Sequence, residues 1–399
     1  MNNKTFIAAA VDAGSSYVRA VICAVENGCI EYRGAGIVAA GGFTRSRVSD
    51  RQALSSAILR AVQMAEHEAG VQVESATIGC GGTTIKGANT RSRIETGRPR
   101  EIEQRDVNRA FERAARVQLP EDRVMLQLCP QDFVMDDRAG YRDPRKMMAS
   151  MMEAHAHVIT VASQEHSLLM QSVNQAHLGV EETVFEAIAS CYACVPPEDR
   201  REGLALLDIG QHSSELVVYH GDALQLASSL ALSGDHFTRD IAHFLRIQYD
   251  DALLVKEQYG SASASTTARN SFIELPVPEG REQREAARRS LNEIIEARAT
   301  EMFQLVMQEL ARVGIERSLA GGFVICGGGA ELHGLCDVAE QVLECPARIG
   351  LPYGIRYWPE ELDAPSWAAV AGLAMYSARM RCNTEPDKPN EGILARILK

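Results

Sequence analysis

The sequence predicts an α/β protein of two lobes, each built around a copy of the same unit. Two segments carry this expectation, AVDAGSSYVRAVICAVENG (10–28) and LLDIGQHSSELVVYHGD (206–222). Each reads as an apolar strand, an Asp-x-Gly turn with serines and a second apolar strand, which is the pattern of a β-hairpin with a polar tip. The aspartates, Asp12 and Asp208, lie half the chain apart, which favours an internal duplication. A glycine cluster between an apolar strand and an apolar helix (320–335) is the third observation.

The composition is that of a globular protein large enough for at least two cores. The chain has 399 residues, of which 46% are hydrophobic and 24% charged, and the usual size range gives roughly two to four domains. The formal net charge of -12 disfavours nucleic acid as a main partner, because such proteins present a basic surface. No stretch approaches the ~20 apolar residues of a membrane span, and the N-terminus lacks the features of a signal peptide.

The ten cysteines have no repeating spacing, which indicates a reducing compartment and therefore a cytoplasmic location. Cys191 and Cys194 form a C-x-x-C pair, but no second pair or nearby histidine run completes a zinc site. Within EAIASCYACV the two cysteines are explained as small residues on a buried helix face. A redox role is the alternative interpretation.

The remaining elements follow from helix signals and strand patterns. A helix is predicted over 49–70, with Ser49 as N-cap and Gly70 as stop, followed by a buried strand over 73–82. A second helix is predicted over 234–247. A long helical pattern covers 284–314, and its apolar residues are Leu291, Ile294, Ile295, Met302, Leu305, Val306 and Leu310.

The two Asp-x-Gly turns have the chemistry of an anion site. Glycine beside a strand-ending aspartate lets the backbone approach a ligand and permits a positive φ, and backbone N–H groups at such turns form an anion-binding concavity. Two hairpins that face each other would hold a polyphosphate from both sides, and Asp12 and Asp208 would hold Mg²⁺, directly or through water. A turn-capping aspartate is the alternative for either copy alone. The residues assigned to this predicted polyphosphate site are Asp12, Gly14, Ser15, Ser16, Asp208, Gly210, Gln211, His212 and Ser213.

The third glycine cluster supports a nucleotide site. Gly327, Gly328 and Gly329 stand between an apolar strand and an apolar helix, and glycine-rich turns of this kind allow close approach of phosphate or nucleotide. The spacing is not G-x-G-x-x-G, which disfavours a dinucleotide fingerprint. A tight turn with no ligand is the alternative.

Taken together, these motifs resemble the actin-like ATPase superfamily and, within it, the FtsA family of bacterial cell-division proteins, with this chain as a divergent member. The two D-x-G hairpins and the late strand–GGG–helix carry the superfamily resemblance. The family resemblance covers nearly the whole chain and rests on DPRKMMASMMEAHAHVITVA (143–162), VFEAIASCYACV (184–195), LSGDHFTRDIA (232–242), GGFVICGGGAELHGL (321–335) and SWAAVAGLAMYS (366–377).

The resemblance implies an actin-like ATPase fold, in which each of two lobes is built on a duplicated ribonuclease-H-like α/β domain, with an FtsA-type inserted subdomain. The implied division is 1–82 for the first-lobe core, completed by 161–199 and 366–380; 83–160 for the inserted subdomain; 200–245 for the second-lobe core, completed by 320–365; 246–319 for a helical subdomain; 381–392 for a linker; and 393–399 for an amphipathic tail.

The resemblance also implies ATP and Mg²⁺ in the cleft between the lobes. It adds Gly234 and Lys256 to the nucleotide-binding residues. It gives Glu186 a place near an attacking water and, with Asp208, a catalytic role. The alternative for Glu186 is a helix N-terminal charge favoured by the helix dipole.

Two departures from the family predict weak ATP binding and little hydrolysis. The second phosphate loop usually reads D-I-G-G-G-T-T-D, but here it reads DIGQHSSE, so Gln211 and His212 replace glycines. A Cβ at a positive φ costs roughly 1–2 kcal/mol, and both side chains could occupy phosphate space. An acid is usual three residues before Lys256, where Leu253 stands here, and a lost ribose contact costs on the order of 1–3 kcal/mol.

The resemblance implies three partners: the C-terminal peptide of the tubulin-like FtsZ, further copies in a polymer, and the inner face of the cell membrane. We expect the FtsZ peptide, typically acidic and apolar, to contact Arg288, Arg289, Asn292 and Arg298, since arginine suits carboxylates. The alternative is that these residues are only the solvated face of a helix. The membrane contact would be a short tail with apolar and basic sides, which is the weak form of an interfacial anchor; its residues are Ile393, Leu394, Arg396, Ile397, Leu398 and Lys399. A disordered charged end is the alternative for the tail.

Other classes with the same fold remain open at this point. A PilM-like pilus assembly protein shares the fold and the membrane location, although the subdomain ending EAHAHVIT and the tail favour FtsA. A sugar kinase would need a catalytic aspartate and a sugar pocket between the lobes, and neither is recognisable. A chaperone-type ATPase would carry a large substrate-binding domain after residue 380.

Overall fold

A computed structural model of the chain describes residues 6–44, 46–276, 283–315 and 319–383. Its strands are β1 Phe6–Ala13, β2 Tyr17–Glu26, β3 Cys29–Ala39, β4 Phe43–Thr44, β5 Arg47–Val48, β6 Ser75–Cys80, β7 Lys86–Glu101, β8 Arg123–Met135, β9 Arg138–Tyr141, β10 Met148–Ala162, β11 Gly179–Phe185, β12 Leu204–Ile209, β13 Ser214–His220, β14 Ala223–Leu230, β15 Phe272–Leu275, β16 Arg284–Ala287, β17 Phe323–Cys326 and β18 Ala347–Ile349. Its helices are α1 Arg51–Ala69, α2 Gln104–Ala114, α3 Ser163–Gln175, α4 Glu186–Cys194, α5 Pro197–Glu202, α6 Gly234–Leu245, α7 Tyr249–Tyr259, α8 Arg288–Arg312, α9 Leu335–Leu343 and α10 Ala368–Asn383.

The first lobe is built on a five-stranded sheet in the order β11-β6-β1-β2-β3. β1 and β2 form the first predicted hairpin, β2 and β3 extend it, and β6 and β11 run parallel to β1. The last six residues of β1 are all buried, as expected of a strand covered on both faces. Buried side chains of α1, α4 and α10 belong to the same core.

The second lobe repeats this sheet. Its strands have the order β18-β17-β12-β13-β14, with β12, β13 and β14 antiparallel and β17 and β18 parallel to β12. Order and direction therefore match those of the first sheet, strand for strand. The duplicated α/β unit predicted from the two hairpins is confirmed.

The inserted subdomain leaves the first lobe after β6 and returns to it at α3. It consists of β7, β10, β8 and β9 in an antiparallel sheet, and α2 packs its buried residues against that sheet. Three of these strands are long, and β9 is short. One residue pair, Ser228 and Lys86, joins β14 to β7, so the second-lobe sheet continues into the inserted subdomain.

The helical subdomain contains α7, the β15–β16 hairpin and α8. The predicted helix over 284–314 begins only at Arg288. Residues 284–287 instead form β16, whose Ala286 is paired with Ile273 of β15. The apolar residues at helical spacing begin at Leu291. Residues 284–287 were included in the predicted helix without that spacing to support them.

Three further boundaries differ from the predictions. α1 is capped by Asp50, whose carboxylate accepts from two backbone N–H groups, while the predicted cap Ser49 bonds the carbonyl of Gly42. A 3-10 turn (Gly328–Glu331) precedes α9, so the glycine cluster is not followed directly by an α-helix. α10 continues to Asn383, three residues into the predicted linker.

α4 and α10 cross closely at the centre of the molecule. Gly372 of α10 has no room for a side chain, because a Cβ there would collide with the backbone of Ala189 in α4. α4 contacts strands of both large sheets and carries Glu186 at its N-terminal end and Ser190 in its middle. In the described part of the chain, no helix is both long and apolar enough to cross a membrane.

Candidate functional site

A cavity of about 930 Å³ lies where the tips of the two hairpins meet. It draws its lining from both lobes and from the N-terminal end of α4. All of the residues that the sequence analysis assigned to nucleotide binding or catalysis line it, namely Asp12, Gly14, Ser15, Ser16, Glu186, Asp208, Gly210, Gln211, His212, Ser213, Gly234, Lys256, Gly327, Gly328 and Gly329. Their placement is a finding, while their roles stay predictions.

The glycines of the two Asp-x-Gly turns serve the closure of each hairpin. A Cβ at Gly14 would lie 2.9 Å from the carbonyl oxygen of Tyr17, and one at Gly210 would lie 2.9 Å from that of Ser213. The Gly210 N–H donates to the same Ser213 oxygen at 2.9 Å. Neither glycine is among the positive-φ residues, so the positive φ that glycine permits is not used here, and close approach of the backbone within each hairpin is the reason for glycine.

The same holds for the substituted positions of the second turn. Gln211 and His212 are also absent from the positive-φ residues. The backbone strain of roughly 1–2 kcal/mol expected there is therefore not present. What distinguishes this loop from a glycine loop is the volume and chemistry of the two side chains.

Asp12 and Asp208 each lie one residue before the end of their strand and both line the cavity, and Asp12 is 6% exposed. Burial raises the pKa of Asp12 to about 6, and the Asp208 charge adds to this rise while Arg19 opposes it. Burial also raises the pKa of Asp208, although hydrogen bonds from Ser190 and Cys326 oppose the rise. The Ser190 hydroxyl donates to Asp208 Oδ2 at 2.6 Å.

Within the described residues, no group of three or more His, Cys, Asp or Glu side chains is arranged to hold a metal ion. Asp12 and Asp208 each bring a carboxylate to the cavity, one from each lobe. Mg²⁺ keeps several waters and is often bound through one or two carboxylates and substrate phosphates. The donor set therefore fits the expected contact through water, which stays a prediction.

Glu215 belongs to this site although the sequence analysis did not single it out. It stands opposite Asp208 in the hairpin register and is 3% exposed. Its Oε1 accepts from the N–H of Gly82 in the first lobe at 2.6 Å. Burial, reinforced by Asp208, raises the pKa of Glu215 to about 8. The available signal was an acid directly after the turn in an otherwise apolar strand.

Glu186 shares this buried acidic environment. A Cβ on Gly81 would collide with the carboxylates of both Glu186 and Glu215, so the two acids flank that glycine. Burial raises the pKa of Glu186 well above its usual value, and the Glu215 charge raises it further. Burial therefore shifts both glutamates toward their protonated forms relative to a free glutamate side chain.

Arg19 is the second residue that sequence reasoning missed. It stands opposite Asp12 in the first hairpin, the position that corresponds to Glu215 in the second. Its guanidinium lies 5.4 Å from the ring centre of Tyr17 and 5.5 Å from that of Trp367. Its buried Nε has no hydrogen-bond partner. The strand register, which the sequence does not state, was needed to find it.

The glycine cluster packs against β12. Gly327 has a φ of 80°, and a Cβ there would meet Asp208 Oδ1, while a Cβ at Gly329 would meet the side chain of Ile209. A Cβ added at Gly328 would meet nothing within 4 Å. The outer two glycines are therefore required by the fold itself, and only Gly328 borders open space in the cavity.

Lys256 lines the cavity from α7. Its Nζ donates to Thr238 Oγ1 at 2.9 Å and lies 3.4 Å from the carbonyl oxygen of Gly234. Burial lowers the pKa of this lysine. Leu253, one turn earlier on α7, presents an apolar side chain to the same cavity.

The predicted partner surface on α8 is only partly available. Asn292 is 1% exposed, accepts from Ser261 N–H at 2.9 Å and donates to Thr267 at 2.7 Å, so we correct its assignment as a contact. Arg298 is paired with Asp240 and Glu301, each at 2.6 Å. The other two arginines have partners within the subdomain: Arg288 donates to the carbonyl of Tyr259, and Arg289 is paired with Glu293.

Two further sequence predictions have different outcomes. The tail over 393–399, with Ile393, Leu394, Arg396, Ile397, Leu398 and Lys399, lies outside the described residues. Cys191 and Cys194 are both buried on α4 and unbonded to each other, as two small residues on a buried helix face would be.

Two matching sheets that enclose one cleft, joined by a pair of crossing helices, define the class: the chain has the actin-like ATPase fold. It is similar to the solved PilM-PilN type IV pilus biogenesis complex, with a TM-score of 0.67 and 17% identity over 93% of this chain and 98% of that one. It is also similar to MreB5 of Spiroplasma citri bound to ADP, with a TM-score of 0.57 and 12% identity over 95% and 99%. Identities this low establish the fold alone.

The chain belongs to the FtsA family of cell-division proteins. The family model "Cell division protein FtsA" matches residues 205–372, and "SHS2 domain inserted in FTSA" matches 82–160. Cell division protein FtsA of Pseudomonas aeruginosa is 30% identical over 97% of this chain and 95% of its own length. The FtsA proteins of Borreliella burgdorferi (29%, over 92% and 89%) and Escherichia coli K12 (27%, over 94% and 91%) are similar over comparable spans.

Proposed function

We propose that this chain is an FtsA-type division protein whose cleft binds ATP with Mg²⁺ weakly and hydrolyses it slowly. One observation carries the nucleotide proposal: the turns at Asp12 and Asp208, from opposite lobes, line the same cavity as Gly328. Mg²⁺, when bound, would offset phosphate charge. Arg19 and Lys256 supply fixed positive charge on the cavity wall, which favours an anionic ligand.

Weak binding follows from two side chains. Gln211 brings a carboxamide to the place where the two turns face each other, which a phosphate chain would need. Leu253 offers no acceptor to a ribose hydroxyl, and the loss of that contact weakens binding by on the order of 1–3 kcal/mol.

Slow hydrolysis is expected from the environment of Glu186. A general base must be unprotonated to take a proton from water. Burial, reinforced by the neighbouring acids, raises the pKa of Glu186 well above its usual value, which disfavours the charged form that a base needs. Asp208 accepts a hydrogen bond from the Ser190 hydroxyl. It is therefore better suited to electrostatic stabilisation than to proton transfer.

Calorimetric titration with Mg²⁺-ATP tests the nucleotide proposal, together with phosphate release at saturating ATP. We expect micromolar or weaker affinity and little turnover. Asp12→Asn and Asp208→Asn should each abolish the magnesium dependence of binding, whereas Asp137→Asn, at an exposed turn of the inserted subdomain, should leave it unchanged. Nanomolar affinity with ready turnover would contradict the proposal.

We further propose the family's division role, in which the protein polymerises at the inner membrane face and links the FtsZ C-terminal peptide to that membrane. Arg289 and Arg298 on α8 are the supporting charges for an acidic peptide, because both keep partly exposed side chains. A pull-down with the FtsZ peptide tests this. Arg289→Glu and Arg298→Glu should weaken capture, and Arg138→Glu on β9 should not.

The membrane contact is proposed for residues 393–399, which have apolar and basic sides in the sequence. So short a segment should bind a bilayer only marginally as one copy, so that many copies in a polymer would be needed for stable attachment. Liposome pelleting of the full chain and of a chain cut before residue 381 tests this role. Equal pelleting of the two would remove the anchor from the proposal.

A PilM-like pilus role is the second candidate, because the PilM-PilN complex shares the fold. The match to the FtsA-specific insert over 82–160 and the curated FtsA relatives favour division. The same FtsZ peptide pull-down separates the two roles, since a pilus assembly protein has no reason to retain that peptide.

A further inference from the structure

The side chain of Gln211 joins the tips of the two hairpins. Its Oε1 accepts from the hydroxyl of Ser16, in the first lobe, at 2.7 Å. Its Nε2 lies 3.5 Å from the hydroxyl of Tyr249, which in turn donates to Asp235 at 2.7 Å. A second bond crosses the cleft beside it, from the Ser46 hydroxyl to the carbonyl oxygen of His212 at 2.7 Å.

The backbone beneath this side chain is fixed. The N–H groups of Gly234 and Asp235, at the start of α6, donate to the carbonyls of Gly210 and Gln211 at 2.9 and 2.8 Å. The loop therefore cannot withdraw without breaking the N-terminal contacts of α6. Any ligand that needs the space of the Gln211 carboxamide must move the side chain alone and break its bond to Ser16.

The Gln211 carboxamide occupies the space between the two turns, and Gly328 lines the same cavity. A Cβ added at Gly328 would meet nothing within 4 Å, so this glycine turn leaves open space beside it for the nucleoside end of a ligand. The far end of a phosphate chain would reach the space between the two turns, where Gln211 Oε1 already takes the Ser16 hydroxyl that a phosphate oxygen would need. A ligand with a long phosphate chain would therefore collide with the Gln211 carboxamide, and one with a shorter chain would not.

We propose that Gln211 sets the length of phosphate chain that the cleft accepts, so that a nucleoside diphosphate is bound in preference to the triphosphate. The inference rests on the proposed nucleotide site and names its specificity-determining residue. A diphosphate leaves the Gln211–Ser16 bond intact. A triphosphate must displace the carboxamide and also loosen a contact between the lobes.

Calorimetric titration with ADP and ATP tests this in the wild type and in Gln211→Ser and Gln211→Gly. We expect the wild type to prefer ADP by about two- to tenfold, the change in affinity that one displaced hydrogen bond is worth. Both small replacements should remove most of that preference. Gln211→Glu should increase it, because a carboxylate repels the last phosphate. Gln308→Ser, on the exposed face of α8, is the matched control.

The inference and the proposed function fail in different ways. If the wild type binds ATP at least as well as ADP, or if the two small replacements leave the ratio unchanged, Gln211 does not set chain length and the nucleotide site stands. If no variant binds either nucleotide, the proposed site fails. Pyrophosphate and tripolyphosphate then decide the inference: a preference for pyrophosphate that disappears in Gln211→Ser supports it, and its absence overturns it.

Discussion

At the scale of single residues, the buried acid Glu215 makes the unfolding free energy depend on pH. Its pKa is raised to about 8 in the folded protein, so between pH 4.5 and 8 the native state holds a proton that the unfolded chain has lost. The unfolding free energy therefore falls as pH rises through this window, by up to about 1.4 kcal/mol per unit. Glu215→Gln should flatten that slope in urea titrations at several pH values. The exposed Glu285→Gln should retain it, and an unchanged slope in Glu215→Gln would argue against a buried titration.

Asn292 supports the helical subdomain from inside. Asn292→Ala removes the acceptor of the Ser261 N–H and leaves a buried polar group unpaired, which costs about 1–3 kcal/mol. We expect a lower midpoint in thermal unfolding, with Asn270→Ala, at an exposed loop, as control. A variant as stable as the wild type that loses FtsZ peptide binding would restore Asn292 as a partner contact.

The sequence could predict which residues line the cleft, but not how they face one another. Paired Asp-x-Gly turns and the glycine cluster were enough to bring Asp12, Asp208 and Gly328 to one cavity. Arg19 and Glu215 were missed because register decides which residue stands opposite an aspartate. The burial of Asn292 was readable, since it lies three residues before Ile295 and seven before Ala299 on the buried face of α8.

At the scale of elements, the crossing of α4 and α10 leaves no space at Gly372. Gly372→Ala would push α4 away and should destabilise the protein by about 1–3 kcal/mol, the usual cost of overpacking. Since α4 carries Glu186 and Ser190, the variant should also disturb the cleft. Thermal unfolding measures the first effect. Gly328→Ala, where a Cβ meets nothing within 4 Å, is the control, and equal midpoints would mean that the helices can separate without loss.

Elements were predicted well wherever the apolar pattern was long, and poorly at their ends. The helix signals of α1 and α8 located both helices, because many buried residues repeat at one spacing. The cap of α1 and the start of α8 were wrong, since single polar residues compete for those positions. Residues 284–287 form a strand only because β15 lies beside them, and such a partner leaves no local signal.

At the scale of the whole molecule, His157 connects the inserted subdomain to the second lobe. Its Nε2 accepts from the Ala227 N–H at 3.1 Å, and its Nδ1 lies 2.6 Å from Asn89 Oδ1. Burial lowers the pKa of His157 to about 4, so between pH 6.5 and 4 the unfolded chain binds a proton that the native state does not. The contribution of His157 to the unfolding free energy should therefore fall as pH drops through this window, opposite in sign to the contribution of Glu215.

His157→Phe tests this junction. It should remove that part of the pH dependence and, at pH 7, lower stability by about 1–3 kcal/mol, because the Ala227 N–H loses its acceptor. Urea unfolding of both proteins from pH 4.5 to 7.5 is the measurement, with the exposed His67→Phe as control. A wild-type slope that survives in His157→Phe would mean that another group titrates there.

The duplication was visible in the sequence because both copies keep the same hairpin. The contact between insert and second lobe was not, because one backbone pair between Ser228 and Lys86 and a few side chains make it. The division of the chain into two lobes could thus be predicted from the sequence. The contact between the insert and the second lobe could not.

This contact between the insert and the second lobe has a mechanical consequence. The insert is covalently part of the first lobe, yet it is hydrogen-bonded to β14 of the second through His157 and through Gln131, whose Nε2 donates to the Leu224 carbonyl at 2.7 Å. The chain therefore forms a closed linkage on that flank. We expect rotation of the lobes to be restrained on this flank, so that the cleft would widen more easily along the opposite one.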